Sequence, residues 1–146
     1  MDADLSHDPR HLPDLIAATD HADVAIGSRY IPGGAVVNWP RKRLVLSRFA
    51  NTYIRTITQL TPRDCTSGYR CWRREMLERI SLDRFTSDGY SFLVEMLYAA
   101  SRAGCRFAEV PITFVERRVG ESKLSMNVLV ESIITPWRLV ATKTRG

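Results

Sequence analysis

From Ala22 to Gly27 the chain reads Ala-Asp-Val-Ala-Ile-Gly, a run of small and β-branched residues closed by a glycine, which is the pattern of a strand buried inside a sheet. Just before it, Pro9 to about Thr19 carries Leu12, Leu15 and Ile16 on one side and predicts a short helix. A helix feeding a buried strand is the rhythm of an α/β sheet, whose ligands sit beyond the carboxyl ends of the strands. That rule points to Ser28-Arg29-Tyr30 just after the strand, and to Asp2 and Asp4 just before the helix. Both stretches can face one crevice.

Asp2 and Asp4, followed by Ser6-His7-Asp8-Pro9, form a compact set of hard oxygen ligands. Mg²⁺ or Mn²⁺ favours such oxygens and keeps positions open for phosphate and water. Asp-x-Asp is also a common tripeptide, and Asp8-Pro9 is an ordinary helix start. At 146 residues, 45% of them hydrophobic, the chain is long enough for one domain with a core of its own. Its net charge of +5 favours an anionic partner: nucleic acid, a phosphorylated metabolite or an acidic membrane surface. Cys65, Cys71 and Cys105 lack the C-x-x-C spacing of a zinc or redox site and read as buried thiols. His7 and His11 read as structural, because Pro9 between them spoils an i,i+4 metal pair. There is no signal-peptide pattern, and no apolar run approaches the ~20 residues that span a bilayer.

Residues 31–40, Ile-Pro-Gly-Gly-Ala-Val-Val-Asn-Trp-Pro, are dense in turn formers and predict a loop, either a lid or a plain surface connection. Arg41 to about Leu60 is the longest helical pattern of the first half, with Leu46, Phe49, Ala50, Tyr53, Ile54 and Ile57 on its apolar face. Charge is distributed unevenly here. From Val24 to Arg63 there are seven basic residues (Arg29, Arg41, Lys42, Arg43, Arg48, Arg55, Arg63) and no acidic one, the make-up of an anion-binding surface. Arg43 and Ser47, four apart, lie on one line of that helix and can reach one phosphate by charge and by hydroxyl.

Asp64-Cys65-Thr66-Ser67-Gly68-Tyr69-Arg70 is a polar turn able to orient a ligand through short hydrogen bonds. A brief helix follows from Arg74 to Ile80, and another from about Tyr90 to Ala103 turns Phe92, Leu93, Met96 and Leu97 inward. Glu95 lies among them and needs a cation or donor, as a buried ion pair or as an active-site group. Residues 106–115 alternate as one strand, with Pro111 at an edge or bulge. A basic loop, residues 116–123, leads into an amphipathic helix from about Lys123 to Thr142 bearing Val128, Leu129, Ile133, Ile134, Trp137 and Val140. Such a helix can pack on the domain, lie on an anionic membrane surface or dock to a membrane-embedded partner. The chain thus divides at 1–115, the part bearing the anion and metal candidates, and 116–146, the basic loop with its membrane-proximal helix.

Six motifs occur in order: Met1-Asp-Ala-Asp-Leu-Ser-His-Asp-Pro, Gly27-Ser-Arg-Tyr, Arg43-x-x-x-Ser47, Asp64-Cys-Thr-Ser-Gly-Tyr-Arg, Gly89-Tyr-x-Phe-x-x-Glu95 and Arg117-x-x-Gly-x-Ser-Lys123. Together they resemble the polyprenol-phosphate (dolichol-phosphate) mannosyltransferases of the actinobacterial type, from Asp2 to about Arg138. The resemblance implies an inverting glycosyltransferase of the GT-A fold, a mixed sheet flanked by helices. It further implies mannose transfer from GDP-mannose to a polyprenyl monophosphate, on the inner, cytoplasmic face of the cell membrane. Asp2 and Asp4 then hold Mg²⁺ or Mn²⁺ on the donor diphosphate. Arg29, Arg43, Ser47, Arg117, Ser122 and Lys123 surround the phosphates, and Asp4, Arg29 and Arg117 stand nearest the chemistry. Asp64 and Glu95 match motif positions without an assigned role. Ser6 stands where the family often has Gln, a shorter side chain on the metal side.

The chemistry suits the residues. A phosphate monoester, with a second pKa near ~6, is largely dianionic at neutral pH and needs no general base, so a Ser-His or Cys-His nucleophile is not expected. What it needs is charge screening and a metal for the departing diphosphate. In the resembled family the strands and the acidic residue that hold the guanine nucleotide precede the Asp-Ala-Asp motif, whereas here the motif opens the chain. The expectation is therefore the C-terminal part of a GT-A fold, with weak or no GDP-mannose binding by this polypeptide alone. Two other readings stand beside the mannosyltransferase: a non-catalytic remnant or accessory subunit docking to a membrane enzyme, and a polyprenyl-phosphate glucosyl- or aminoarabinosyltransferase. A nucleic-acid-binding role is disfavoured, because the aromatics are spaced as core rather than as stacking platforms.

Overall fold

The computed structural model describes residues 6–80, 85, 87, 89–115 and 126–142, the side chains of 126–129 and 142 excepted. A 3-10 turn at Pro9–His11 runs into α1, Leu12–Ala18. Asp8 caps this start by accepting from the Arg10 backbone N–H at 2.9 Å. The remaining elements are β1 (Val24–Ser28), β2 (Ala35–Val37), α2 (Arg41–Thr58), β3 (Arg70–Trp72), α3 (Arg74–Arg79), α4 (Gly89–Arg102), β4 (Phe107–Pro111), β5 (Thr113–Val115) and α5 (Met126–Thr142).

β1 is central in the order β3-β1-β4, antiparallel to β3 and parallel to β4. The expected mixed sheet flanked by helices is present. Successive side chains of a strand point to opposite faces, and β1 feeds two cores. Val24 and Ile26 pack with Ile54, Leu60, Cys65, Val94 and Leu97 on the side of α2 and α4. Ala25 packs with Leu15, Ala18, Tyr69, Val110 and Ile112 on the side of α1. All five β1 residues are buried, as a strand covered on both faces requires.

Several sequence expectations are corrected. Residues 31–40 are not all loop, since β2 pairs in parallel with β5. Residues 106–115 are two strands in two sheets, and the chain changes sheet at Ile112. There the Ile112 N–H donates to the Ser28 carbonyl at 3.1 Å, and its carbonyl accepts from Ala35 at 2.9 Å. Ile16, placed with Leu15 on the core side, is exposed instead. Pro13 falls within the first turn of α1, and the helix is only seven residues long, so one buried line suffices to seat it. The apolar faces of the two longest helices are mostly uncovered. On α2 only Ile54 of the expected face is buried, and Phe49 is 67% exposed. On α5 the expected stripe of Ile133, Ile134 and Trp137 points outward, while Thr135 and Pro136 are buried. Hydrophobic periodicity locates an apolar stripe but not what covers it.

Candidate functional site

Where β1 ends, Arg29 enters the interior. Its side chain is only 5% exposed and faces Asp64, which is 0% exposed. The pairing is bidentate: Nε and Nη2 each donate to an Asp64 carboxylate oxygen at 2.7 Å, and the Arg29 backbone N–H donates to the same carboxylate at 3.1 Å. Nη2 also donates to the Thr66 hydroxyl at 2.8 Å. Burial alone would lower the guanidinium's pKa, but the hydrogen bonds and charge of Asp64 outweigh it and raise it above the ordinary arginine value. Of five N–H donors on the group, three are used, leaving the two on Nη1 without a partner among the described residues. Arg29 borders a cavity. It is thus a fixed cation with one edge still able to receive an anion.

Asp64 is itself held from behind. Glu109 on β4 accepts from the backbone N–H groups of Arg63 at 2.9 Å and Asp64 at 3.1 Å. Arg70, half-buried, has its pKa pushed down to about 10 by desolvation. It donates to the Cys65 carbonyl at 2.8 Å and the Leu93 carbonyl at 2.7 Å, tying the 64–67 turn to α4. Gly34 brings the preceding loop against the same place, since a Cβ there would lie 2.6 Å from the Ser28 carbonyl oxygen.

Three rings surround the Arg29 guanidinium, those of Tyr30, Phe114 and Trp39, with centroids at 5.1, 5.3 and 5.6 Å. Arg43 lies over the other occupant of this group, the Trp39 ring, at 4.1 Å. The Tyr30 hydroxyl bonds the Ser47 hydroxyl at 2.6 Å, and burial raises the Tyr30 pKa, so the phenol stays protonated. Asn51, 2% exposed, makes three bonds: its amide nitrogen donates to the Ser47 carbonyl at 3.0 Å and the Thr66 hydroxyl at 3.1 Å, and its amide oxygen accepts from the Cys65 N–H at 2.8 Å.

The cavity holds about 320 Å³ between α2, α4 and α5. Arg29, Arg43, Ser47 and Thr66 stand at its polar end; Leu46, Phe49, Ala50, Tyr53, Val94, Ile133 and Pro136 line the remainder. α5 is latched across it by the Tyr53 hydroxyl, which donates to the Ile133 carbonyl at 3.0 Å and accepts from the Trp137 indole at 2.8 Å. Thr135 on α5 also meets Ser91 on α4. The site offers an anion two guanidinium groups and a hydroxyl, and offers a hydrocarbon chain an apolar trough leading away from them.

Three of the residues expected at the phosphates, Arg29, Arg43 and Ser47, therefore share one cavity. Asp64 does not face a ligand; it pairs with Arg29. Glu95 is half-buried on α4, and its Oε2 is sealed from solvent without a hydrogen-bond partner among the described residues. Asp2, Asp4, Arg117, Ser122 and Lys123 lie outside the described residues. Among those described, no cluster of three or more His, Cys, Asp or Glu side chains is arranged to hold a metal ion. Ser6 is buried, and its carbonyl accepts from Val115. His7 stacks on Tyr69 at 4.7 Å, and His11 Nε2 accepts from the Thr113 N–H, so both are structural. The three cysteines are free thiols, and burial pushes the Cys65 thiol up to about 12, far from nucleophilic use.

Trp39 and Asn51 were not singled out as site residues from the sequence, and Tyr30 and Thr66 were singled out only as members of the 28–30 and 64–70 stretches. For Asn51 a signal existed: it follows Arg43 and Ser47 at the same four-residue interval, a third polar residue on one line of α2. Trp39 and Thr66 carry no comparable periodicity.

Comparison with known proteins places this geometry in context. The profile of glycosyl transferase family 2 matches residues 1–81. An undecaprenyl-phosphate mannosyltransferase of Micrococcus luteus is 47% identical over 143 residues, covering 97% of this chain and 59% of its own length. A polyprenol monophosphomannose synthase of Mycolicibacterium smegmatis is 50% identical over 134 residues, covering 91% of this chain and 51% of its own length. The chain thus spans little more than half the length of these relatives.

Proposed function

This chain belongs to glycosyl transferase family 2, and we propose that it serves the transfer of mannose from GDP-mannose to a polyprenyl monophosphate. One observation carries the reading: the cavity brings Arg29 and Arg43, both against the Trp39 ring, together with Ser47 in a mainly apolar lining, which matches a phosphate monoester carried on a hydrocarbon chain. The names of the two relatives, one an undecaprenyl-phosphate mannosyltransferase and the other a polyprenol monophosphomannose synthase, agree with that match.

In this reading Arg29 Nη1, Arg43 and Ser47 hold the acceptor phosphate and screen its two charges. One phosphate oxygen attacks the anomeric carbon from the face opposite the leaving group. The bond from that carbon to the donor's diphosphate breaks with its electron pair going to GDP, and the configuration inverts. No proton has to be removed from the attacking oxygen, which accords with the inert Cys65 and the structural histidines. Asp2 and Asp4 would hold Mg²⁺ or Mn²⁺, which would supply charge for the departing diphosphate, and Arg117, Ser122 and Lys123 would add to the phosphate contacts.

No helix among the described residues is long and apolar enough to cross a membrane. Phe49 of α2 and Ile133 of α5 are exposed and line the cavity, the same helices expose Val45, Ile134 and Trp137, and Arg41, Lys42 and Arg48 on α2 are close by in sequence. This apolar and basic surface suits a peripheral seat on the cytoplasmic leaflet, from which the lipid's head enters the trough. The same exposed residues favour a second reading, in which a membrane-embedded partner covers them.

The test is transfer of labelled mannose from GDP-mannose to a polyprenyl phosphate with Mg²⁺ or Mn²⁺ present, by this chain with a nucleotide-binding half supplied. Arg43→Ala is expected to lower the rate at limiting acceptor by about ten- to a hundredfold, the loss of a charge-assisted phosphate contact. Chelation with EDTA is expected to abolish transfer. A rate indifferent to Arg43→Ala would remove the acceptor from this cavity, and one indifferent to EDTA would remove the metal.

A further inference from the structure

We infer that Tyr30 and Asn51 are positioning residues that hold the Ser47 hydroxyl and the Arg29 guanidinium in register as donors to one phosphate. The inference rests on the reading of the polar end of the cavity as a phosphate site and concerns residues that do not themselves carry the charge.

Hydrogen-bond direction assigns the two hydroxyls their roles. A phosphate dianion only accepts, so Ser47 must give its single hydroxyl proton to the ligand. Its oxygen is then left as an acceptor, and the Tyr30 hydroxyl 2.6 Å away is the group that donates to it. With no ligand present, a serine hydroxyl rotates freely among acceptors; with Tyr30 donating, its proton is turned away from the phenol. The cost of ordering that hydroxyl is met before the phosphate arrives. The cation beside the phenol works in the same direction, since Arg29 lies 5.1 Å from the Tyr30 ring centroid.

Asn51 acts on the backbone that carries these groups. Its amide nitrogen donates to the Ser47 carbonyl within α2 and to the Thr66 hydroxyl across the cavity wall. Thr66 in turn receives Arg29 Nη2. The Asn51 amide oxygen takes the N–H of Cys65, the residue next to Asp64. One side chain with 2% of its surface exposed therefore bonds to the helix of Ser47 and to the turn that pins Arg29. The polar groups belong to segments far apart in sequence, α2 and residues 64–66. Their relative position is set by this crosspiece and by the Arg29–Asp64 pair.

The experiment compares binding of farnesyl phosphate and farnesol to the 146-residue chain, by calorimetry or by quenching of Trp39. The ratio of the two affinities isolates the head-group contribution, which a general loosening of the fold would not change selectively. Tyr30→Phe keeps the ring and is expected to lower the phosphate-to-alcohol ratio about three- to tenfold. Asn51→Ala is expected to lower it at least as much. If Asn51→Ala does not fold, Asn51→Ser, which keeps a small polar group, replaces it. Tyr30→Phe combined with Ser47→Ala should be no weaker than Ser47→Ala alone, because Tyr30 acts only through that hydroxyl. Losses equal for phosphate and alcohol, or additive losses in the double variant, would overturn the inference. A wild-type chain that prefers the phosphate but is indifferent to Tyr30→Phe and Asn51 substitution would also overturn it while leaving the acceptor site standing. A wild-type chain with no preference for the phosphate would end both.

Discussion

The two ends of the cavity are built on opposite principles. At the polar end each group is held by several directed bonds: Arg29 to Asp64 and Thr66, the Asp64 carboxylate from the Arg29 backbone N–H and the Thr66 hydroxyl as well, Asn51 with three partners. At the apolar end α5 is latched to α2 through one tyrosine and one tryptophan, and large side chains such as Phe49, at 67%, and Trp137, at 59%, stand in the open. Charge recognition needs fixed geometry, because a misplaced donor leaves a desolvated anion unpaired at a cost of several kcal/mol. Contact with a hydrocarbon is non-directional and scales with area, so a loose, exposed wall suffices. Rigidity is concentrated where the ligand is charged, and adaptability where it is greasy.

The contrast is broken most severely at Asp64. Asp64→Ala strands Arg29 as a buried unpaired cation and is expected to cost about 3–5 kcal/mol of stability, read as a large drop in denaturant midpoint. A loss below 1 kcal/mol would mean that water reaches Arg29 and that the polar end is not preorganised. At the other end, Phe49→Ser is expected to leave the midpoint nearly unchanged while weakening flotation with anionic vesicles by about 1–2 kcal/mol, part of the value of one buried aromatic. Destabilisation with unaltered flotation would instead make Phe49 part of the packed interior and erase the distinction between the two ends.

The smallest expected effect separates the site from its scaffold. Asp23 accepts the Arg106 backbone N–H at 2.8 Å, and that hydrogen bond, ahead of its ion pair with the same residue, lowers its pKa below the ordinary 3.8. A carboxyl lowered on folding stabilises the fold above its unfolded pKa, and the contribution is lost as pH falls through the folded value. Asp23→Asn should therefore lower stability slightly near neutrality, where the contribution is fully present, and cost progressively less as pH falls below about 4, flattening the acid limb of the stability profile. Since Asp23 lies at the far end of β1 from Arg29, phosphate binding at pH 7 should not respond. A response there would couple the two ends of the strand.

The fold was legible where one residue pattern had one physical meaning. Val24 to Gly27 could only be a strand covered on both sides, and Arg74 to Ile80 a short helix. Residues 106–115 were misread as one strand because alternation continues through Ile112, whereas the change of sheet there depends on two backbone bonds to segments about eighty residues away. The apolar stripes of α2 and α5 were legible, but not that most of each would stay uncovered. Of the site, Arg29, Arg43 and Ser47 were legible as an anion-binding set in a segment free of acids. The aromatic surround and the Asn51 crosspiece were not, because each depends on distance across the fold.

What the linear order of residues determined by itself is chemical: a basic segment without carboxylates, an α/β rhythm, and six ordered motifs resembling the polyprenol-phosphate mannosyltransferases. Only the tertiary structure decided which charge faces which. Arg29 and Asp64 are thirty-five residues apart, and whether that carboxylate met a ligand or an arginine turned on a 2.7 Å contact between buried side chains. Composition and periodicity are sums over neighbours in sequence, whereas the strength of a charge depends on what has been removed from around it, and burial is a property of the folded whole.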